Sequence, residues 1–129
     1  MAEVFEHVVT VRWRDTDALG HVNNAVFLTY LEEGRDAFYG QVLGDPIYVV
    51  ARLEIDFRAE VRPEESQVTV RVEVDRVGTT SLTTRETVVK AGNVVAAQAR
   101  VVTVRWDAVA HQAVPFAAAH RAVLAELAG

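Results

Sequence analysis

The sequence predicts an α+β fold in which a curled antiparallel sheet of about five strands wraps one long helix, with a short C-terminal helix added. Three observations predict it. Residues 24–39 repeat their apolar side chains at helical spacing. Nearly everything from residue 48 to residue 106 alternates at strand spacing and is broken by turn residues. One long amphipathic helix facing one run of strands can bury its apolar stripe only if the sheet curls around it.

Each element has its own warrant. Residues 6–13 place Val9, Val11 and Trp13 on one face and Thr10 and Arg12 on the other, the alternation of a strand. Residues 14–23, RDTDALGHVN, follow neither period and contain Gly20, so they form an ordered loop. In residues 24–39, Phe27, Tyr30, Leu31, Gly34 and Phe38 share one helical face, with Asn23 or Asn24 as N-cap and Gly40 as the stop. Gly34 in mid-helix costs up to ~1 kcal/mol against alanine, which close approach of another backbone would explain. Residues 48–58 form a strand, closed by the turn sequence RPEES at residues 62–66. Val68, Val70, Val72 and Val74 alternate strictly in the next strand, residues 67–75. Strands at residues 81–90 and 94–106 flank a hairpin turn, Ala91-Gly92-Asn93. Pro115 opens a helix reaching Ala128, with Phe116, Val123, Leu124 and Leu127 available for docking.

Composition narrows the functional classes. The 129 residues fit a single domain, with 50% hydrophobic and 24% charged residues. The chain has no cysteine, which excludes disulfides, thiolate catalysis and cysteine-ligated zinc. His7, His111 and His120 are too scattered to suggest a metal site, so neither metal nor cofactor is expected. Glu3, Glu6 and His7 interrupt the N-terminal segment, and no apolar run approaches the ~20 residues of a membrane span, so no membrane role and a cytoplasmic location are expected. A net charge of −5 argues against nucleic acid as a partner. Lys90 is the only lysine, so phosphate contacts would fall mostly to arginine.

The loop at residues 15–24, DTDALGHVNN, sets Asp17 and His21 four residues apart directly before a helix N-terminus. The first turn of a helix presents unpaired amides that can hold an oxyanion. A carboxylate and an imidazole beside such a site are the parts needed to activate water. The same residues also fit a purely structural use, with an Asp stabilising the loop and Asn23 capping the helix. Asp15 is expected to face away from Asp17 and to bond the loop backbone. Glu32 and Glu33 are expected on a solvated face, with one of them pairing with Arg35 or lying at a subunit contact.

Residues 11–35, VRWRDTDALGHVNNAVFLTYLEEGR, resemble the signature of the 4-hydroxybenzoyl-CoA thioesterase family of hotdog-fold enzymes. The resemblance implies the hotdog fold and thioesterase activity, with Asp17 as the catalytic carboxylate, either nucleophile or general base. It places the oxyanion-binding amide near Asn24. Plant acyl-ACP thioesterases carry a His four positions after the Asp, which His21 matches. Their Asn two positions after the Asp is replaced here by Leu19. In the family, the segment equivalent to residues 76–85, RVGTTSLTTR, contacts coenzyme A. That makes Arg76, Thr80, Ser81 and Arg85 substrate-binding candidates, with Asn23 added to them.

The expected partner is acyl-CoA, and the resemblance implies a homodimer or homotetramer with active sites at subunit interfaces. Acyl carrier protein as the carrier, or a non-catalytic acyl-CoA-binding role, are the alternatives. Phe27, Tyr30, Leu31 and Tyr48 could line an acyl pocket, and core packing explains them equally well.

Overall fold

The computed structural model describes residues 3–44 and 46–129. In chain order the elements are β1 (Val4–Thr10), α1 (Asn24–Leu43), β2 (Tyr48–Phe57), β3 (Gln67–Val77), β4 (Ser81–Lys90), β5 (Val94–Asp107), a two-residue β6 (Gln112–Ala113) and α2 (Ala118–Ala128). The strands form one antiparallel sheet in the order β1-β3-β4-β5-β2, with β6 paired to the end of β5. The sheet curls around α1. This is the hotdog architecture that the element order predicts.

The core sits between the helix and the concave face of the sheet. Phe27, Tyr30, Leu31, Gly34 and Phe38 are all buried on α1, and Val68, Val70, Val72 and Val74 are all buried on β3. Gly34 is a point of close approach. A Cβ there would lie inside contact distance of Val70 Cγ1, so the neighbour that requires glycine is a valine side chain, not the backbone expected from the sequence. From α2, Leu124 is fully buried and Phe116, just before the helix, nearly so. Leu127 packs at the margin and Val123 stays exposed.

Several boundaries depart from the sequence reading. α1 runs through Gly40 and stops at Gly44, whose φ of 72° and amide bond to the Tyr39 carbonyl make the left-handed cap. Gly40 faces outward, while Leu43 extends the buried stripe by another turn, so burial outweighs the glycine. β1 starts at Val4 and ends at Thr10, because the Asp15 carboxylate accepts the Arg12 amide and draws residues 13–15 into a single 3-10 turn. Trp13 therefore leaves the strand face and is 87% exposed. α2 begins at Ala118, three residues past Pro115, since the Phe116 amide is held by the Thr79 carbonyl. The hairpin turn before β5 has Gly92 and Asn93 at positive φ, as its sequence predicts. No helix among the described residues is long and apolar enough to cross a membrane.

The core also holds a charged pair that the sequence reading missed. Arg35 turns inward from α1 and meets Glu86 of β4 through two bonds, Nε to Oε2 at 3.0 Å and Nη2 to Oε1 at 2.9 Å. Thr84 Oγ1 donates to the same carboxylate at 2.7 Å. Burial lowers the Arg35 pKa and Glu86 raises it, and the net direction is upward. The signal was present: Leu82, Thr84, Glu86 and Val88 alternate onto the inner face of β4.

Candidate active site

The loop between β1 and α1 is built from short-range bonds. The amide of Asp17 bonds the His21 carbonyl at 3.0 Å, and the Gly20 amide returns to the Asp17 carbonyl at 3.0 Å. Gly20 takes φ of 82°, which closes this small ring without Cβ strain. A bridge between Thr16 and Val22 seals its neck. The Val22 amide then bonds the Val61 carbonyl at 2.7 Å, tying the loop to the segment that enters β3.

Asn23 is the N-cap, and its side-chain oxygen accepts the Ala25 amide at 2.9 Å. The Asn24 amide, first in the helix, has no acceptor among the described residues. It is one of the orphan donors at a helix start and points where the helix dipole favours negative charge.

Asp17 is half-buried beside this end. Its Oδ1 accepts the Leu19 amide at 2.9 Å, so one oxygen serves the loop. Its Oδ2 has only a long contact, 3.4 Å, from the Asn23 side-chain nitrogen. One carboxylate oxygen is therefore lightly held, in contact only with the N-cap residue of α1. His21 is half-buried, and its Nδ1 lies 3.3 Å from the Val22 carbonyl. No bond joins its ring to Asp17 among the described residues.

Asp15 is the buried member of the loop. Its Oδ2 accepts both the Arg12 amide at 2.8 Å and the Tyr30 hydroxyl at 2.6 Å, and its carbonyl accepts the Asn23 amide at 3.0 Å. Burial, reinforced by the Asp15 carboxylate, pushes the Tyr30 hydroxyl pKa well above its ordinary value. Outside this contact, Arg12 grips Glu33 of α1 through two bonds of 2.8 and 2.9 Å. Glu33 thus pairs with Arg12, and neither Glu32 nor Glu33 pairs with Arg35. Tyr30, Arg12 and Glu33 were not singled out from the sequence as catalytic or carrier-binding residues.

The remaining candidates lie elsewhere. The loop bearing Asp17 adjoins the start of β3, where the Val11 amide bonds the Ser66 carbonyl. Arg76, Thr80 and Ser81 lie at the far end of β3 and its hairpin with β4, about 30 Å away along the strand. Arg85 is on the outer face of the sheet, beside Glu73 at 3.6 Å and Asp75 at 3.7 Å. A single chain therefore does not bring these four to Asp17. Phe27, Tyr30 and Leu31 are fully buried in the core, while Tyr48 borders an open groove with Glu32, Asp36, Val49 and Val50. No group of three or more His, Asp or Glu able to hold a metal ion occurs among the described residues.

A curled sheet around one helix, with a carboxylate loop at the head of that helix, defines a hotdog-fold protein. Residues 11–124 match the thioesterase-like superfamily, and the chain belongs to that family. It is similar to a predicted thioesterase from Bacillus stearothermophilus, with 30% identity, 98% of both chains covered and a TM-score of 0.88. It is also similar to a thioesterase from Thermus thermophilus, solved with coenzyme A and zinc. Identity there is 33%, with 96% of this chain and 94% of that one covered, at a TM-score of 0.84. A curated relative, the uncharacterised protein YsmA of Bacillus subtilis strain 168, is 32% identical over 84 residues, 61% of this chain. The chain spans about half, 56%, of the length of that relative.

Proposed function

We propose that the chain hydrolyses an acyl-coenzyme A thioester to the free acid and coenzyme A, in the manner of the 4-hydroxybenzoyl-CoA thioesterase family. The observation that carries this reading is that Asp17 Oδ2 is lightly held, contacting only the side chain of the N-cap residue Asn23, at the helix start whose first amide, that of Asn24, has no acceptor among the described residues. The thioester oxygen would take the negative charge of the tetrahedral intermediate next to that amide, where a helix start stabilises it. Asp17 either attacks the carbonyl carbon, giving a mixed anhydride that water then cleaves, or removes a proton from the attacking water. In both routes the carbon–sulfur bond breaks and coenzyme A leaves as a thiolate, aided by a free thiol pKa of about 8.5. The family assignment and the coenzyme A found on the Thermus protein support a thioester carrier of this kind. Neither route calls on the zinc of that structure.

A homodimer belongs to the same proposal. β2 ends the sheet on one side, with Val49, Val50 and Phe57 exposed on it and Ile47 exposed just before it. A free edge strand of this length, apolar at its start and end and charged at Arg52, Glu54 and Asp56, invites a second copy. A second copy would also be the means of bringing a set of Arg76, Thr80 and Ser81 toward Asp17.

The test is thiol release from short, medium, long and aromatic acyl-CoAs, beside the Asp17→Asn variant. Turnover reduced at least ~100-fold in the variant is the expected result. Near-normal turnover in Asp17→Asn defeats the assignment. A folded protein inactive on every acyl-CoA moves the reading to acyl carrier protein substrates or to acyl-CoA binding without catalysis.

A further inference from the structure

We infer that Asp15 and Tyr30 are positioning residues that set Asp17 against the start of α1, an assignment that rests on the catalytic reading of Asp17 given above. The inner ring of the loop, closed by Asp17, Gly20 and His21, is held mainly by its own bonds, and its direct link to the head of α1 is the long 3.4 Å contact from Asn23 to Asp17. Val22 ties the loop to the Val61 carbonyl, and Asp15 ties it to the helix by three short contacts: with the Arg12 amide at the loop's entrance, the Tyr30 hydroxyl on the buried face of α1, and the Asn23 amide at its exit. Tyr30 is fully buried, so its hydroxyl reaches Asp15 from a fixed ring two turns into the helix. Arg12, whose amide bonds Asp15, also joins the loop's entrance to α1 through its ion pair with Glu33. The loop that carries the carboxylate is thereby referenced to the same helix that supplies the amide.

The Arg12 amide and the Tyr30 hydroxyl converge on one oxygen, Oδ2 of Asp15. What the site requires at residue 15 is a single well-placed acceptor, which an asparagine also provides.

The test compares Tyr30→Phe, Asp15→Ala and Asp15→Asn by steady-state thioester hydrolysis, each also in the Asp17→Asn background. Tyr30→Phe keeps the ring in the core and removes only the hydroxyl. It is expected to lower kcat about 10- to 100-fold with KM changed less than about threefold, since a displaced reacting group costs rate more than affinity. Asp15→Ala should behave alike, and Asp15→Asn should return kcat to within about threefold of the wild type. In the Asp17→Asn background Tyr30→Phe should have little further effect, because the group it positions is gone. Circular dichroism and thermal melting show whether each variant is folded. If the wild type is active, Asp17→Asn is not, and a folded Tyr30→Phe keeps wild-type kcat, the positioning role is overturned and the catalytic reading stands. The same rate loss from Tyr30→Phe with and without Asp17 also overturns it, since that is general loosening. A wild type inactive on all thioesters overturns both.

Discussion

Arg35 and Glu86 form an ion pair whose side chains are 3% and 0% exposed, so solvent screening does not soften it. Removing one partner should be far more damaging than removing both. Glu86→Leu keeps a similar volume on β4 but leaves the Arg35 guanidinium buried without its carboxylate, and Thr84 without its acceptor. The cost of a broken buried pair is about 3–5 kcal/mol. For a chain of this length each kcal/mol moves Tm by roughly 3–5 °C, so the variant should melt about 10–25 °C below the wild type. Arg35→Met combined with Glu86→Leu replaces the pair by apolar groups of similar size. That double variant should lie within about 1 kcal/mol of the wild type or above it, because the desolvation of both charges is relieved together. Urea unfolding followed by circular dichroism, at one fixed protein concentration, measures all four corners of the cycle. A single variant that loses less than about 1 kcal/mol, or a double variant no better than the sum of the singles, would refute the reasoning.

Two further outcomes follow from the core. Gly34→Ala gains up to ~1 kcal/mol of helix propensity but drives a methyl into Val70, and the overpacking cost of about 1–3 kcal/mol should win. Val70→Ala should then cost less in that background than in the wild type, and equal cost in both would contradict the contact. The chain's three tyrosines are Tyr30, Tyr39 and Tyr48. Burial raises the pKa of each, that of Tyr39 to about 12. Since these folded values lie above the unfolded one of about 10, the neutral phenols favour the folded state below pH 10. That contribution is lost as pH rises toward 12, and phenolate absorbance should appear together with unfolding. A tyrosine that titrates near pH 10 in the native protein would be a clear contradiction.

The parts of the fold legible in the sequence were those governed by periodicity. Four valines at alternate positions can face one side only as a strand, and five residues of α1 share a face only as a helix. What periodicity does not encode was harder to see. Gly40 and Gly44 are the same residue in the sequence, and only the burial of Leu43 between them shows which one ends α1. Trp13 continues the alternation of β1 on paper, yet the Arg12 amide's bond to Asp15 takes the chain out of the strand first. For the candidate site, spacing pointed to Asp17, Asn23 and the helix start because they are neighbours in the chain. It could not point to the pairing of Tyr30 with Asp15, which forms only once the helix is packed. Nor could it show that Arg76, Thr80 and Ser81 lie at the opposite end of the sheet, since that follows from strand direction and register.

The strand order β1-β3-β4-β5-β2 also carries a history of assembly. β3, β4 and β5 form a meander of successive hairpins, whereas Thr10 pairs with Gln67 and Tyr48 with Arg105, partners far apart in the chain. Closing such long loops is entropically costly, so the local hairpins should gather first and the two outer strands last. α1 hangs between those late strands, and the loop bearing Asp17 connects β1 to it. The loop at the head of the helix would thus be the last part of the molecule to take shape and the first to open. Substitutions in the β3–β4 hairpin should slow refolding, while those in β1 and β2 should chiefly hasten unfolding, a division that stopped-flow kinetics can read directly.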